Sequence, residues 1–141
     1  MGLVGKPDVY GNVFLALDGT SVAVDKTDIS TQNTSDVWTY QLAGEKAMRL
    51  TFSSGLDMVP VWSPDSTRFV LTSNRQINQD LYIKKSDGTQ EEKLVVHANI
   101  DVNPNDWYRD GKYILYTAGN DLWYLMPQDL KTSLFLTRRT P

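Results

Sequence analysis

The single histidine, His97, and the absence of cysteine set narrow limits on the chemistry this chain can do. A cysteine nucleophile is excluded, and a Ser-His-Asp relay would have to run through His97. The serines of Thr51-Phe52-Ser53-Ser54-Gly55 do not sit in a nucleophile elbow, whose first position is glycine and is Thr51 here. Carboxylates are more plentiful, but a general acid and its partner are defined by their separation in space, which spacing in sequence does not give. Asp101-Val102-Asn103-Pro104-Asn105-Asp106 offers oxygen ligands at alternate positions, as a calcium loop does. Its sixth position is Asp106 rather than glycine and its twelfth is Lys112 rather than glutamate, so the EF-hand pattern fails and turn-forming Asx residues explain it more simply. No catalytic residue, metal site or cofactor is assigned, and the chain is read as not an enzyme.

The elements that position these residues come in a repeat. Asp18-Gly19-Thr20-Ser21-Val22-Ala23-Val24, Asp65-Ser66-Thr67-Arg68-Phe69-Val70-Leu71 and Asp110-Gly111-Lys112-Tyr113-Ile114-Leu115-Tyr116 begin 47 and 45 residues apart. Asp36-Val37-Trp38, Asp80-Leu81-Tyr82 and Asp121-Leu122-Trp123 follow them at spacings of 44 and 41. Arg49-Leu50-Thr51, Lys93-Leu94-Val95 and Phe135-Leu136-Thr137 complete each unit. Each unit also has a lead-in before its Asp turn: Val13 to Leu17, Val59 to Ser63, and Asn105 to Tyr108. Short runs rich in Val, Ile, Tyr, Trp and Phe, punctuated by Gly, Asp and Asn, are strand signals, and no window holds a 3.6-residue apolar period. The fold class expected is all-β. Four strands per period of 40 to 45 residues is the signature of a β-propeller, in which four-stranded antiparallel blades stack around an axis. The chain is read as a single domain, 1–141, with three blades over about 13–58, 59–102 and 103–141. Residues 1–12 form an N-terminal segment that could pair with a blade edge.

The stretch from Pro60 to Val95, with Trp62-Ser63-Pro64-Asp65 followed by a β-branched strand and then Asp80-Leu81-Tyr82, resembles the TolB-type propeller repeat of bacteria. The resemblance runs from about Val13 to Thr137 and is sharpest in the middle unit. Tyr108-Arg109-Asp110-Gly111 and Leu17-Asp18-Gly19 are partial matches to the turn motif. Ser66 stands where that motif has glycine. If the turn needs a positive φ there, a serine costs on the order of 1 kcal/mol. The resemblance implies six blades to a ring, so three leave two blade faces uncovered. Closure by a second copy into a homodimer, or by another half-propeller, is the expected remedy. The function it implies is a non-catalytic binding or scaffold module, or alternatively a propeller piece of a larger peptidase- or kinase-associated protein.

Composition excludes other classes. Net charge is −3 with Lys and Arg scattered along the chain, which argues against nucleic acid, since phosphate binding needs a concentrated basic face. No apolar run reaches membrane-spanning length, so no membrane insertion is expected. Met1 to Tyr10 lacks a signal pattern, which reads as cytoplasmic as written, or periplasmic if a leader has been removed. In a four-strand blade the connections after the second and fourth strands emerge on one side of the ring, those after the second being the variable ones. There the chain varies most: 11 residues from Asp25 to Ser35, 8 from Thr72 to Gln79 and 4 from Thr117 to Asn120. Asp57 and Asp101, each three residues before a proline (Pro60, Pro104), are expected at equivalent places at this channel mouth, with Tyr10 near the corresponding spot. They are the candidate ligand-binding residues, for a cation or a basic protein or peptide segment. Trp38, Trp62, Trp107 and Trp123 recur with the repeat and are read as packing between blades.

Overall fold

The computed structural model describes residues 7–30, 34–44 and 46–137, and these form twelve strands. The first blade holds β1 (Val9–Leu15), β2 (Ser21–Asp28), β3 (Thr34–Gln41) and β4 (Ala47–Arg49). The second holds β5 (Asp57–Trp62), β6 (Arg68–Ser73), β7 (Asp80–Lys85) and β8 (Lys93–Val96). The third holds β9 (Val102–Trp107), β10 (Ile114–Ala118), β11 (Asp121–Met126) and β12 (Lys131–Leu136). Each blade is one antiparallel sheet with its strands in sequence order. All-β architecture in three four-stranded blades is as the repeat predicts.

The repeated Asp makes the turn between the first two strands. Asp18 Oδ1 accepts from the Thr20 amide at 2.9 Å, Asp65 Oδ1 from the Thr67 amide at 3.1 Å, and Asp110 Oδ1 from the Lys112 amide at 2.8 Å. The Thr20 amide holds the Asp18 carboxyl below the ordinary carboxylate value, and the Ser63 and Thr67 hydroxyls, with the Thr67 amide, do the same for Asp65. The residue after each Asp lies in the left-handed region: Gly19 at φ 72°, Ser66 at 59° and Gly111 at 77°. Ser66 therefore carries the strain that its departure from glycine implied.

The first strand of every blade is longer at its start than the sequence indicates. A bulge lies opposite the second strand, between Tyr10 and Val13, between Met58 and Val61, and between Pro104 and Asp106. The extra residue breaks the two-residue alternation, so only the half after the bulge reads as a strand. Val9–Asn12, expected as part of a separate N-terminal segment, belong to the first blade's own inner strand. Residues 1–6 lie outside the described residues.

Blades stack through two apolar layers. Trp62, Phe69, Leu71 and Tyr82 of the second blade pack on Ala23, Val37 and Leu50 of the first. Val61, Val70, Leu81, Val95 and Val96 of the second pack on Val102, Trp107, Ile114, Tyr116 and Leu125 of the third. Trp62 and Trp107 serve this packing and Trp123 packs against the second layer, whereas Trp38 belongs to neither layer and lies under the Lys26 ammonium of its own blade. Trp62 meets Phe69 edge-on at 5.9 Å and donates its indole N–H to the Phe14 carbonyl of the first blade at 3.0 Å, while Arg68 reaches over Trp107 of the third.

Candidate functional site

The ladder registers show where the predicted site residues fall. Tyr10 pairs with Lys26, Asp57 with Ser73, and Val102 with Ala118, each four places along the second strand from the equivalent residues Val22, Phe69 and Ile114. Tyr10 and Asp57 are thus equivalent, as expected, whereas Asp101 is one residue out of step and its place is taken by Val102. Counting back from the prolines misleads because Pro60 and Pro104 occupy successive, not equivalent, positions of the bulge. A one-residue slip changes the face of the sheet.

Asp57 and Asp101 both make bonds within the chain, Asp57 away from water and Asp101 at the surface. Asp57 is fully buried, accepts from the Ser53 hydroxyl at 2.8 and 2.9 Å, and pairs with Arg75 at 3.2 Å. Arg75 is clamped in turn: it lies 4.2 Å from the Tyr82 ring centroid, donates to Ser73 Oγ and reaches Glu92 at 3.4 Å. Asp101 is exposed, and its carboxylate accepts from the Gln79 amide at 3.0 Å, tying the loop after β6 to the start of the third blade. The Tyr10 hydroxyl lies 3.3 Å from that of Tyr40, whose proton is held more tightly than usual by burial and by this contact. Asp57 thus sits in a buried ion pair, and Asp101 ties a loop to the third blade.

A second row of carboxylates stands beside these. Asp36, Asp80 and Asp121 lie at or near the start of the third strands, in register with Lys26, Ser73 and Ala118. Asp36 is bonded by Arg49 at 2.7 Å and Thr51 at 3.3 Å; burial pushes its pKa up, more strongly than the Arg49 cation pulls it down. Asp80 is buried and bonded to His97 Nδ1 at 2.9 Å. The sole histidine thus braces a strand start. Among the described residues, no group of three or more His, Asp or Glu is placed to hold a metal ion, and no helix is long and apolar enough to cross a membrane.

The connections between the second and third strands are shorter than the sequence implies, because the ladders run further. They span residues 29–33, 74–79 and 119–120, with 31–33 outside the described residues. The middle loop, which carries Arg75, is the longest. Nothing in Arg75's own neighbourhood marks it, because its partner Asp57 is 18 residues away across the blade.

Both end faces carry exposed apolar side chains. Phe135 and Leu136 on β12 take the bulge places of Val95 and Val96 on β8, yet they are 57% and 59% exposed against 8% each. Leu15 takes the place of Trp62 and Trp107 and is 59% exposed against 9% and 4%. On the third blade Tyr108, Tyr113, Leu115, Tyr124 and Phe135 line an open groove of about 460 Å³.

No protein-family model and no curated protein matches the chain. Solved structures do. One, described as a TolB of Agrobacterium tumefaciens, superposes with a TM-score of 0.74 at 13% identity, covering 92% of this chain and 49% of that one. TolB of Acinetobacter baumannii gives 0.71 at 16% identity over 86% of this chain and 31% of its own. A puromycin-hydrolyzing peptidase of Mycobacterium tuberculosis gives 0.72 at 13% identity over 94% and 22%. The chain spans about half or less of the length of these structures. At such identities the likeness shows the fold, a TolB-like propeller arrangement of blades.

Proposed function

Taking a TolB-like propeller fold with three blades as the premise, we propose that this chain is a non-catalytic binding scaffold. Two copies close into a six-bladed ring, and the ring takes a protein or small ligand on the side carrying the loops after the second and fourth strands. The carrying observation is positional. The same places in the repeat are buried wherever a neighbouring blade exists and open at the two ends, as Leu15, Phe135 and Leu136 are. Large contiguous apolar faces on a water-exposed domain mark interfaces, and closed two-fold symmetry is the commonest way a chain covers its own.

The peptidase likeness favours a second reading, a propeller piece of a larger enzyme with no activity of its own, since this chain covers 22% of that structure. Melting separates the two. An assembly linked to folding raises the melting temperature with protein concentration. The homodimer is expected to show that rise; a melting temperature independent of concentration goes against it and favours a missing covalent half.

A further inference from the structure

Each of the two internal junctions is tied by a polar side chain from the second strand of the earlier blade, Asp25 and Thr72, and Thr117 takes the equivalent place in the third blade. Between the first and second blades, Asp25 Oδ2 accepts from the Val59 amide at 2.9 Å. Between the second and third, the Thr72 hydroxyl instead donates to the Val102 carbonyl at 2.8 Å. The difference follows from the bulge residue on the receiving strand. Val59 offers an N–H, which calls for an acceptor; its counterpart Pro104 has none, so the tie must be a donor reaching a carbonyl.

Thr117 holds the third such place, and among the described residues it meets no further blade. Its hydroxyl lies 3.5 Å from the Asn103 carbonyl of its own blade, longer than an O–H donor's usual 2.5–3.0 Å. It therefore suits a receiving strand that offers a carbonyl and not an amide. The first blade fits that need. At the bulge place of Val59 it has Asn12, whose N–H is already held by Asp25 Oδ1 at 2.9 Å. The Tyr10 carbonyl occupies the place of the Val102 carbonyl, and a carbonyl with two lone pairs takes a further donor. The apolar parts match as well: Val13 and Leu15 of the first blade are exposed, and the third blade's end face carries the groove between Tyr113, Tyr124 and Phe135.

We propose that the third blade's end face receives the first blade of a second copy, with the Thr117 hydroxyl donating to the Tyr10 carbonyl of that copy. Two such junctions, related by a two-fold axis, close the ring. This rests on the half-ring reading and adds to it which face meets which.

The test is the mass in solution of wild type, Leu15→Arg, Phe135→Arg, an equal mixture of those two, and Thr117→Val. Leu15 and Phe135 are exposed within the chain, so their substitution leaves each chain folded, which circular dichroism checks. Wild type is expected as a dimer and each arginine variant alone as a monomer. The mixture regains a dimer, because one of its two junctions pairs an unaltered first blade with an unaltered third. Thr117→Val keeps the shape and removes one hydrogen bond per junction, raising the dissociation constant on the order of tenfold. A monomeric wild type removes the half-ring reading and this inference together. A dimer that withstands either arginine substitution, or a mixture that stays monomeric, overturns the face assignment alone. An unchanged dissociation constant for Thr117→Val overturns the tie.

Discussion

Replacing Arg75 with methionine is expected to destabilise the chain by about 3–5 kcal/mol, the usual cost of leaving one half of a buried ion pair behind. Asp57 is fully enclosed, and its ligands are the Ser53 hydroxyl and the Arg75 guanidinium. Removing the cation leaves a charge with a single neutral donor. Methionine preserves much of the stem that packs over Tyr82, so the loss is electrostatic rather than a cavity. For a chain of this size it should appear as a fall in melting temperature on the order of 10 °C. Asp57→Asn made together with Arg75→Met should recover part of that loss, since a neutral amide is cheaper to bury. An Arg75→Met protein as stable as wild type, in thermal or urea melts, would show that the pair does not hold the blade.

Asp25→Ala is expected to cost about 2–4 kcal/mol by stranding three donors at once. The carboxylate accepts from the Asn12 amide at 2.9 Å, the Asn12 side-chain amide at 2.8 Å and the Val59 amide at 2.9 Å. It thus fixes the first blade's bulge and pins the second blade to it. The fit is tight on the other side too. A Cβ at Gly11 would stand 2.1 Å from Asp25 Oδ1, which explains the glycine without any demand for positive φ. Because the lost bond to Val59 crosses a blade junction and the two to Asn12 hold the first blade's bulge, the variant's urea transition should also broaden, the first blade loosening before the others. A sharp transition at the wild-type midpoint contradicts this role.

Much of the architecture was legible because it rests on features local in sequence. The Asp turns, the Asp at or near the start of each third strand and the apolar strands recur at one period, and that period alone dictates stacked four-stranded blades. The left-handed turn at Ser66 was legible for the same reason. The bulges were not. An extra residue in a strand erases alternation without leaving a composition signal, so strands β1, β5 and β9 seemed to start late and Asp101 was placed one step from its true position. The site was less legible still. Asp57 and Tyr10 were placed in the right row, but the partners that decide what Asp57 does, Ser53 and Arg75, come from two different loops. Asp25 reads as one more polar residue in a strand until the next blade's amide is brought against it. The loop lengths were overestimated because the ladders continue through polar pairs such as Thr27 with Ser35, which no hydrophobic pattern marks.

Absolute mass by light scattering on the size-exclusion peak tests the central claim most directly, that this chain is half of a ring whose open faces are covered by a second copy. The expected result is a single species of about 32 kDa, twice the chain mass of 16.0 kDa. A stable species at 16.0 kDa, unchanged on concentration, would contradict it.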